Sequence, residues 1–348
     1  MKNKEYSLGV YIGRFQPFHN GHLHVVLEAL EKCEKLLMLV GSVNLAPSIR
    51  NPWSFNERRD MIYLGVPYKY RDRLIIEEIR DSSYMNSSWI ANVKSVIWQY
   101  NDTSKEVLLV GHGKDETSWY LKAFPEFNYL DVKNVTNIDA SNIREQILEG
   151  NPTLWPTQVP EQVCEMLLKL IKHTNFTMVR EEYIHVKEYR KSWEGSPYEP
   201  IFVTTDAVVL AEEHVLVVRR GVEPGKGKIA LPGGFLNAKE PIQESCFREL
   251  FEETNISLSR ESLLTCLKDT HVFDSPNRSS RGRTITQAYC FDIENMAYVT
   301  GGDDADKAFW FPLVNLGPKE REFFEDHAQI INFFLIRQRQ KERGWIGK

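Results

Sequence analysis

The sequence has few cysteines, no long apolar run and no excess of basic residues. None of the cysteines forms a CxxC pair, and the five are Cys33, Cys164, Cys246, Cys266 and Cys290. Such an odd, scattered set argues against a disulfide framework or a zinc site and favours a reducing compartment. No apolar segment has the length of a membrane span, and residues 1–5 are not followed by a signal-like apolar core. We therefore expect a cytoplasmic protein without a membrane partner.

Net charge and length narrow the class of protein further. The formal net charge of −5 disfavours nucleic acid as the main partner, because polyanions select basic surfaces, but it still allows local sites for small phosphorylated ligands. The length of 348 residues suits about two domains, and there is no internal repeat or low-complexity tract. The sequence leaves the oligomeric state open, a homo-oligomer included.

The first half of the chain alternates strand-like and helix-like segments. Residues 8–12, 36–40 and 107–110 are short apolar runs typical of buried parallel strands, and residues 21–35 carry apolar side chains at helical spacing. This β-α-β order predicts a doubly wound α/β domain over residues 1–172. The ligand of such a domain lies at the carboxyl ends of its strands.

The second half has a different pattern. Residues 173–200 are polar and are interpreted as a linker that holds at most a short helix. The following strands and helices are clustered rather than alternating, which predicts an α+β or mixed-sheet domain over residues 201–348. Its expected strands are residues 201–203, 206–210, 214–218 and about 284–291, and its expected helices are residues 241–254 and one from about Glu322.

A group of polar residues and glycines lies between the first strand and the first helix: Gly13-Arg14-Phe15-Gln16-Pro17-Phe18-His19-Asn20-Gly21-His22. We expect Asn20 to cap the helix, with His19 and His22 on one face of its first turn. Backbone N–H groups, the helix dipole and the Arg14 cation then favour a bound polyphosphate. An ordinary turn with two surface histidines is the alternative, but it leaves the other residues of the pattern unexplained.

This segment resembles the GxFxPxHxGH signature of the nucleotidylyltransferase superfamily. The resemblance implies a Rossmann-like fold that binds ATP as substrate, with Gly13 and Phe15 at the ligand and with His19 and His22 near the phosphates. It also implies adenylyl transfer to an acceptor phosphate without a covalent enzyme intermediate. That chemistry depends on positioning and charge neutralisation more than on a nucleophilic side chain.

A second segment of the first domain loosely resembles the ISxTxxR motif of that superfamily: Ile138-Asp139-Ala140-Ser141-Asn142-Ile143-Arg144. Ser141 is then expected to cap a helix that faces phosphate, and Arg144 to supply a cation. Asp139 stands where the motif commonly has serine. An ordinary N-cap followed by a surface arginine is the alternative interpretation.

The acceptor is suggested by further resemblances. Gly41-Ser42 and the run from Asn51 to Arg58 resemble the GS…NPF(T/S)xxER stretch of archaeal-type nicotinamide mononucleotide adenylyltransferases, and Asn86 and Trp89 resemble the NxxW motif of that group. An indole can stack on a cationic pyridinium, and an amide can bond to a carboxamide. The alternative for the two tryptophans is an ordinary place in the core. The residues expected at the ligand are Ser42, Asn51, Trp53, Arg58, Asn86 and Trp89, together with Gly111, Lys114 and Asp115 after the strand at 107–110.

The second domain carries a longer motif, which runs from Gly233-Gly234 through Glu240 to Arg248-Glu249-Leu250-Phe251-Glu252-Glu253-Thr254-Asn255-Ile256. Glu249, Glu252 and Glu253 fall on one stripe of a helix, where their charges repel. A hard divalent cation relieves that repulsion and can activate water for attack on phosphorus. A solvated acidic helix face is the alternative, but it does not account for the spacing of Gly234, Glu240 and Arg248.

This run resembles the Nudix box, GX5EX7REUXEEXGU, where U is aliphatic, with Asn255 in place of the last glycine. Asparagine is the residue after glycine that best adopts a left-handed conformation, so the helix end is expected to survive. The resemblance implies an α/β/α Nudix domain in which Glu249, Glu252 and Glu253 hold Mg²⁺ or Mn²⁺. It also implies that Arg248 orients a glutamate, that Glu240 supports it and that one carboxylate activates water.

The substrate of this second site is suggested by residues 273–283, which resemble a loop of ADP-ribose-acting Nudix proteins. Its arginines Arg278, Arg281 and Arg283 are expected to grip phosphate, with a solvated basic loop as the alternative. Glu325-Asp326-His327 also resembles that subgroup and receives no role from the sequence.

The order of the two domains, with Lys191-Ser192-Trp193 and Ser196-Pro197-Tyr198 between them, resembles bifunctional nicotinamide mononucleotide adenylyltransferase/Nudix proteins. The resemblance implies that the first domain makes NAD and pyrophosphate from ATP and the mononucleotide with Mg²⁺. The second would cleave ADP-ribose to AMP and ribose 5-phosphate. Another acceptor for the first domain, another nucleoside diphosphate derivative for the second, or a non-catalytic ADP-ribose sensor are the alternatives. The intact glutamates and the lack of a recognisable DNA-binding segment speak against the sensor.

Overall fold

The computed structural model describes residues 4–101, 107–113, 121–133, 138–303 and 305–345. The chain divides into two compact units, residues 1–181 and 182–348. The division falls inside helix α7 (Thr174–Lys191), so the segment expected to be a linker holds a helix of 18 residues rather than a short one. None of the helices in the described ranges is long and apolar enough to cross a membrane.

The first unit is built on a parallel five-stranded sheet with the order β3-β2-β1-β4-β5. Its strands are β1 (Tyr6–Gly13), β2 (Cys33–Val40), β3 (Leu74–Glu78), β4 (Val107–Gly111) and β5 (Asn128–Asp131). The strand order reverses direction at β1, between β2 and β4, which is where ligands bind in open α/β sheets. The predicted doubly wound domain is thus confirmed.

Helices connect and cover these strands: α1 (Asn20–Lys32), α2 (Phe55–Gly65), α3 (Asn86–Tyr100), α4 (Ala140–Glu149), α5 (Trp155–Gln158) and α6 (Glu161–Leu170). Helix α1 ends three residues earlier than the periodicity predicts, because Cys33 already begins β2. Apolar residues of β1, β2 and β4 pack against Val93 and Ile97 of α3 to form a buried core.

The second unit has a mixed seven-stranded sheet, in which β11 and β6 are parallel and the other strand pairs in the described ranges are antiparallel. The main order is β10-β11-β6-β7-β12, with β8 beside β7 and β9 beside β6. The strands are β6 (Ile201–Ala211), β7 (His214–Arg220), β8 (Ile229–Ala230), β9 (Gly233–Phe235), β10 (Leu267–Phe273), β11 (Arg283–Asp292) and β12 (Ala305–Pro312). The mixed sheet confirms the predicted class, and the two expected strands at 201–210 are one continuous strand.

Three helices accompany this sheet: α8 (Ile242–Thr254), α9 (Arg260–Thr265) and α10 (His327–Glu342). Helix α8 ends at Asn255, whose φ of 44° and ψ of 37° are left-handed, so asparagine does serve in place of the glycine. Helix α10 begins at His327 rather than near Glu322, because residues 320–322 form a separate 3-10 turn.

Gly65, the last residue of α2, allows a test of how closely α2 packs in the first unit. A Cβ atom there would lie 2.9 Å from the Phe18 ring and 3.0 Å from Val163 of α6. We expect Gly65→Ala to lower the free energy of unfolding by about 1–3 kcal/mol, because overpacking outweighs the helical preference of alanine. Gly195→Ala is the control in urea denaturation, since its Cβ would meet nothing within 4 Å. Equal stability of the two variants would contradict the close packing of α2 on Phe18.

Candidate active sites

Helix α1 is capped by His19, not by Asn20 as the sequence analysis expects. The Nδ1 atom of His19 accepts hydrogen bonds from the backbone N–H groups of Gly21, at 3.1 Å, and His22, at 3.3 Å. In return, Nδ1 of His22 accepts from the backbone N–H of His19 at 3.3 Å. The two imidazoles therefore form a reciprocal capping box of the kind that serine and glutamate form elsewhere.

This capping box determines which ring nitrogen carries the proton. A nitrogen that accepts a hydrogen bond is unprotonated, so the proton of each neutral ring is on Nε2. Desolvation among the rings of Phe15 and Phe18, with His19 stacked at 3.6 Å, lowers the pKa of His22 well below its usual range. The hydrogen bonds of the capping box thus leave the proton of each neutral ring on Nε2, and the lowered pKa keeps His22 neutral near pH 7.

The positive charge of the first site comes from three arginines. Burial lowers the pKa of Arg14, and burial together with repulsion by Arg14 lowers the pKa of Arg50 to about 10. Burial and repulsion by both of these cations lower the pKa of Arg144 to about 9. All three remain cationic at neutral pH, and a bound polyanion would offset their mutual repulsion. The sequence analysis missed Arg50, since no local motif marks it.

Gln16 connects the loops that carry these groups. Its side chain donates from Nε2 to the carbonyl of Trp53 at 2.8 Å and accepts the N–H of the same residue at Oε1 at 3.1 Å. Its own carbonyl accepts a hydrogen bond from Arg144 at 2.6 Å. The loop after β1, the segment before α2 and helix α4 are therefore held around one buried amide. The sequence analysis quoted Gln16 but gave it no role.

Arg58 supports the site from within the protein. Its guanidinium is buried and donates to the carbonyls of Arg14, at 2.8 Å, and Gly41, at 2.6 Å, at the ends of β1 and β2. These bonds satisfy backbone groups that the neighbouring loops leave unpaired. The structure thus gives Arg58 a positioning role, in contrast to the direct ligand contact that the motif implies.

Ser42 is fixed by an aspartate that the sequence analysis also missed. The Oδ1 atom of Asp81 accepts the N–H of Ser42 at 3.0 Å, and Oδ2 accepts its hydroxyl at 2.6 Å. Asp81 further exchanges hydrogen bonds with Asn44. Its carboxylate also acts on the cations Arg14 and Arg50. Asp81 therefore orders the backbone after β2, where Ser42 has a φ of 56°.

The N-terminus of α4 differs from the expected arrangement. Asp139 is the N-cap, since its Oδ1 accepts the N–H of Ser141 at 2.7 Å. The hydroxyl of Ser141 instead accepts a hydrogen bond from Arg144 at 3.0 Å. The unusual Asp139 thus takes over the capping, and Ser141 orients the arginine.

The remaining expected ligand residues of the first unit lie in different environments. The Phe15 ring is buried against Tyr11 and His22, and a Cβ at Gly13 would lie 2.8 Å from it. Trp53 is buried with its ring stacked at 6.3 Å on Phe176. The structure therefore places the side chains of Phe15 and Trp53 in the interior, and their contact with a ligand stays a prediction.

The expected acceptor residues are more open. Asn86 is exposed at the start of α3, and the half-buried Trp89 packs at 6.1 Å on Phe124. Gly111 ends β4, and a Cβ there would press on Leu121 at 3.0 Å. Lys114 and Asp115 lie outside the described residues. In the described ranges, two residues expected at the ligand have a buried polar atom without a hydrogen-bond partner, namely Asn51 at Oδ1 and Trp53 at Nε1.

The second site depends on the glycines of β9. The backbone N–H of Gly233 donates to Glu253 at 3.0 Å. A Cβ at Gly234 would overlap the carboxylate of Glu249, and a Cβ at Gly233 would overlap the carbonyl of Thr205. Glycine at 233 therefore lets β9 lie against β6, and glycine at 234 lets it approach the Glu249 side chain of helix α8.

Arg248 organises the carboxylates of this helix. It donates to both oxygens of Glu240, at 2.9 and 2.7 Å, to Glu249 at 2.8 Å and to Glu252 at 3.0 Å. This pairing lowers the pKa of Glu240 to about 2. Glu249 and Glu252 both accept hydrogen bonds from Arg248. Among the described residues, three or more carboxylates are therefore not grouped around one point where a metal ion could bind.

The burial of Glu253 on helix α8 favours a bound divalent cation beside it. Burial raises the pKa of this carboxyl to about 8, and burial also raises the pKa of Glu249. A carboxylate buried in this way is stabilised by a nearby divalent cation, and oxygen donors are the ligands that Mg²⁺ and Mn²⁺ accept. The donor set therefore fits the expected metal, with Glu249, Glu252 and Glu253 as the groups that would hold it.

The arginine loop at 273–283 is anchored by the motif that received no role from the sequence. Arg278 is buried and pairs through two hydrogen bonds, at 3.0 and 2.9 Å, with Asp326 before α10. Glu325 accepts the N–H of Ser280 at 3.1 Å. His327 accepts the N–H of Leu231, near the β9 glycines, at 2.8 Å. Arg278 thus anchors the loop, and the phosphate contact that the resemblance implies stays a prediction.

Arg281 and Arg283 lie closer to the surface of the same loop. The guanidinium of Arg281 lies 4.8 Å from the centroid of the Phe235 ring. Arg283 donates to the carbonyl of Asp274 at 2.5 Å. Both are half-buried, so each combines a fixed position with access from solvent.

Two family models match the two units. Residues 10–145 match the cytidylyltransferase-like family, and residues 201–334 match the NUDIX domain family. The crystal structure of a bifunctional NMN adenylyltransferase/ADP ribose pyrophosphatase from Francisella tularensis, complexed with AMP and a Mn ion, is 34% identical with a TM-score of 0.88. The match covers 95% of this chain and 99% of that one. The chain belongs to this bifunctional family.

Each half of the chain is also similar to a different relative. The nicotinamide/nicotinic acid mononucleotide adenylyltransferase of Acinetobacter baylyi is 30% identical over 175 residues, which are 50% of this chain and 92% of that protein. The ADP-ribose pyrophosphatase of Methanocaldococcus jannaschii is 35% identical over 133 residues, 38% of this chain and 72% of that protein. These matches confirm the family resemblance, whereas the roles of individual site residues stay predictions.

The capping role of His19 can be separated from its role towards anions. We expect His19→Ala to lose about 1–2 kcal/mol of unfolding free energy, whereas His19→Asn retains most of it, because asparagine is a good N-cap. Both variants should bind inorganic pyrophosphate at least about tenfold more weakly, since both lose the Nε2–H donor. Urea denaturation and calorimetric titration measure the two effects. Pyrophosphate affinity that follows stability in both variants would count against a direct contact.

The close approach at Gly234 is tested through metal affinity. Gly234→Ala should displace the Glu249 carboxylate and weaken Mn²⁺ binding by about tenfold or more, a size typical of disturbed metal sites. Its effect on stability should be small, because the end of a flexible side chain can move. Paramagnetic resonance of free Mn²⁺ measures the affinity, with Gly317→Ala as control since its Cβ would meet nothing within 4 Å. Unchanged Mn²⁺ affinity would remove Glu249 from the proposed ligands.

Proposed function

We propose that the first unit transfers the adenylyl group of ATP to nicotinamide mononucleotide and releases NAD and pyrophosphate. The observation that carries this proposal is the cluster of Arg14, Arg50 and Arg144, of which Arg144 donates to the carbonyl of Gln16 in the loop that leads to the histidine pair. These groups lie at the carboxyl ends of parallel strands, where the strand order reverses. A site that is cationic and rich in donors suits the triphosphate of ATP.

The reaction requires one bond to form and one to break. A phosphate oxygen of the mononucleotide attacks the α-phosphorus of ATP, and the bond from that phosphorus to the bridging oxygen breaks, so the leaving group is pyrophosphate. The arginines stabilise the negative charge that grows on the leaving oxygens, and the imidazole N–H groups orient them. A Mg²⁺ ion bound with ATP supplies further neutralisation of the phosphates.

The pyridine ring of the acceptor is proposed to lie near Trp89 and Asn86. An exposed amide at the start of α3 can bond to a carboxamide, and a half-buried indole can stack on a flat cation. The unpaired Oδ1 of Asn51 and Nε1 of Trp53 support a polar ligand next to them, since an unmet buried group costs about 1–3 kcal/mol.

We propose that the second unit hydrolyses ADP-ribose to AMP and ribose 5-phosphate. The carrying observation is the buried carboxyl of Glu253, held by the N–H of Gly233 beside Glu249. A divalent cation bound there supplies activated water and neutralises the substrate phosphates. Arg248 holds Glu249 and Glu252 in place, and Arg281 and Arg283 are proposed to meet the pyrophosphate. Water adds to one phosphorus, the bridging bond breaks, and each product keeps one phosphate.

The proposed partners are therefore small nucleotides: ATP, nicotinamide mononucleotide, NAD and ADP-ribose. Mg²⁺ or Mn²⁺ is the proposed cofactor. The cytoplasmic location and the absence of a nucleic-acid or membrane partner stay predictions from the sequence.

Crossed variants test both activities in one chain. Arg144→Ala should reduce NAD formation by about a hundredfold or more, because a cation at the transferring phosphate is lost, while ADP-ribose hydrolysis stays within about twofold. Glu253→Gln should do the reverse, because a neutral amide is a poor ligand for the metal. Chromatography of the products from ATP plus mononucleotide, and separately from ADP-ribose, measures both rates. Absence of NAD with the wild-type protein would end the first assignment. ADP-ribose bound by the wild-type protein but never cleaved would replace the second with a sensor.

A further inference from the structure

Three consecutive residues at the start of helix α10 bond to two separate parts of the second unit. We call Glu325-Asp326-His327 the α10 entry segment. Its first two side chains bond to the arginine loop at 273–283, and its third bonds to the residues that lead into β9. The proposed function assigns the arginine loop to the substrate phosphates and β9 to the carboxylates that would hold the metal. The entry segment therefore joins two halves of the second site that are distant in sequence.

Asp326 fixes the middle of the arginine loop. The side chains of Arg278 and Asp326 are 3% and 7% exposed, and two hydrogen bonds join them. The same guanidinium lies 3.9 Å from the carboxylate of Asp206 on β6, which accepts the hydroxyl of Thr286 on β11 at 2.6 Å. A buried cation is costly to separate from its carboxylates, so these contacts hold the loop against the sheet.

Glu325 holds the next part of the loop from a strained backbone. Its φ of 44° lies in the left-handed region, which glycine adopts at lower cost than glutamate. Glycine has no carboxylate, however, and Oε1 of Glu325 accepts the N–H of Ser280 at 3.1 Å. Ser280 directly precedes Arg281, which is proposed to meet the pyrophosphate. Backbone strain that accompanies such a contact points to a function for the contact.

His327 acts on the other half of the site. Burial lowers the pKa of this histidine, so its ring is neutral at pH 7, and Nδ1 accepts the N–H of Leu231 at 2.8 Å. Leu231 lies two residues before Gly233, whose own N–H donates to Glu253 at 3.0 Å. The hydrogen bond from Leu231 to His327 therefore helps to fix the chain that bonds to a proposed metal ligand.

We propose that the α10 entry segment positions the two halves of the second site separately. Glu325 and Asp326 place the arginine loop for the substrate, and His327 places the β9 glycines for Glu253 and the metal. Each of the three acts through another residue, so they are positioning residues rather than catalytic ones. The inference rests on the proposed hydrolysis of ADP-ribose and adds to it residues outside the Nudix box.

Glu325→Gly tests the contact with the arginine loop. The variant loses the acceptor for the Ser280 N–H but relieves the left-handed backbone, so its midpoint of urea denaturation should stay close to that of the wild type. KM for ADP-ribose should rise by about three- to tenfold, and kcat should change by less than about twofold, because only substrate binding is weakened. Glu325→Gln should restore the wild-type KM, since its amide oxygen can accept the same N–H.

Glu213→Gly is the matched control for this variant. Glu213 is exposed in the turn between β6 and β7 and has a left-handed φ of 61°, so the same substitution relieves the same kind of backbone there. It should leave both KM and kcat at their wild-type values. A KM for Glu325→Gly no higher than that for Glu213→Gly would exclude a positioning role for Glu325.

Two variants of His327 test the contact with the β9 glycines. His327→Leu leaves the Leu231 N–H buried and unpaired, so Mn²⁺ should bind about tenfold more weakly. His327→Asn places an oxygen near the position of Nδ1 and should keep most of the affinity. Paramagnetic resonance of free Mn²⁺ measures this binding without turnover. At saturating Mn²⁺, KM for ADP-ribose should stay within about twofold of the wild-type value. His327→Gln, whose oxygen lies one bond further from the backbone, replaces the leucine variant if that variant does not fold.

Separate responses of the two contacts decide the proposal. A change of KM alone in Glu325→Gly and of Mn²⁺ affinity alone in His327→Leu supports it. Loss of both quantities in either variant would indicate general loosening of the fold and overturn it, and so would the loss of neither. If the wild-type protein binds ADP-ribose without cleaving it, calorimetric Kd values replace KM and the same ratios are expected. Failure of the proposed hydrolysis is therefore distinguishable from failure of the positioning role.

Discussion

The burial of like charges is the constraint on which both sites depend. In the first unit, burial lowers the pKa values of Arg14, Arg50 and Arg144, and repulsion by neighbouring arginines lowers those of Arg50 and Arg144 further. In the second, burial raises the pKa values of Glu249 and Glu253. Neither group of charges stabilises the folded chain by itself, because desolvated charges of one sign cost free energy. A bound ligand of opposite charge offsets this free-energy cost. The offset contributes to the affinity of each site for its ligand.

The fold holds these charges in place with hydrogen bonds rather than with counterions alone. Gln16 and Arg58 tie together the loops at the carboxyl ends of β1 and β2, and Arg248 ties the carboxylates of α8 to Glu240. The two histidines at the start of α1 also hold the local backbone through hydrogen bonds. By capping α1 through Nδ1, both rings satisfy backbone N–H groups, and the proton of each neutral ring is left on Nε2. Support thus uses one ring nitrogen, and the predicted contact with the ligand would use the other.

The spacing of residues along the sequence predicted the elements that neighbouring residues form. The parallel sheet, the mixed sheet, the helix carrying three glutamates and its end at Asn255 all follow from periodicity and short motifs. Contacts between distant segments could not be predicted in that way. Arg50 and Arg144 are 94 positions apart and Arg278 and Asp326 are 48, and no local pattern records such pairs. The sequence also predicted His19, Arg58 and Ser141 as site residues without indicating their hydrogen-bond partners.

The proposed pair of activities places a further demand on the second site. NAD and ADP-ribose share adenosine and the same pyrophosphate, and they differ only in the nicotinamide carried by the distal ribose. The carboxylates that are proposed to hold the metal cannot distinguish the two molecules, because they face the same pyrophosphate in each. Discrimination is a difference between two affinities, so it must arise where the molecules differ. If NAD is to escape hydrolysis by the second unit, residues around the distal ribose must exclude its flat, cationic nicotinamide ring.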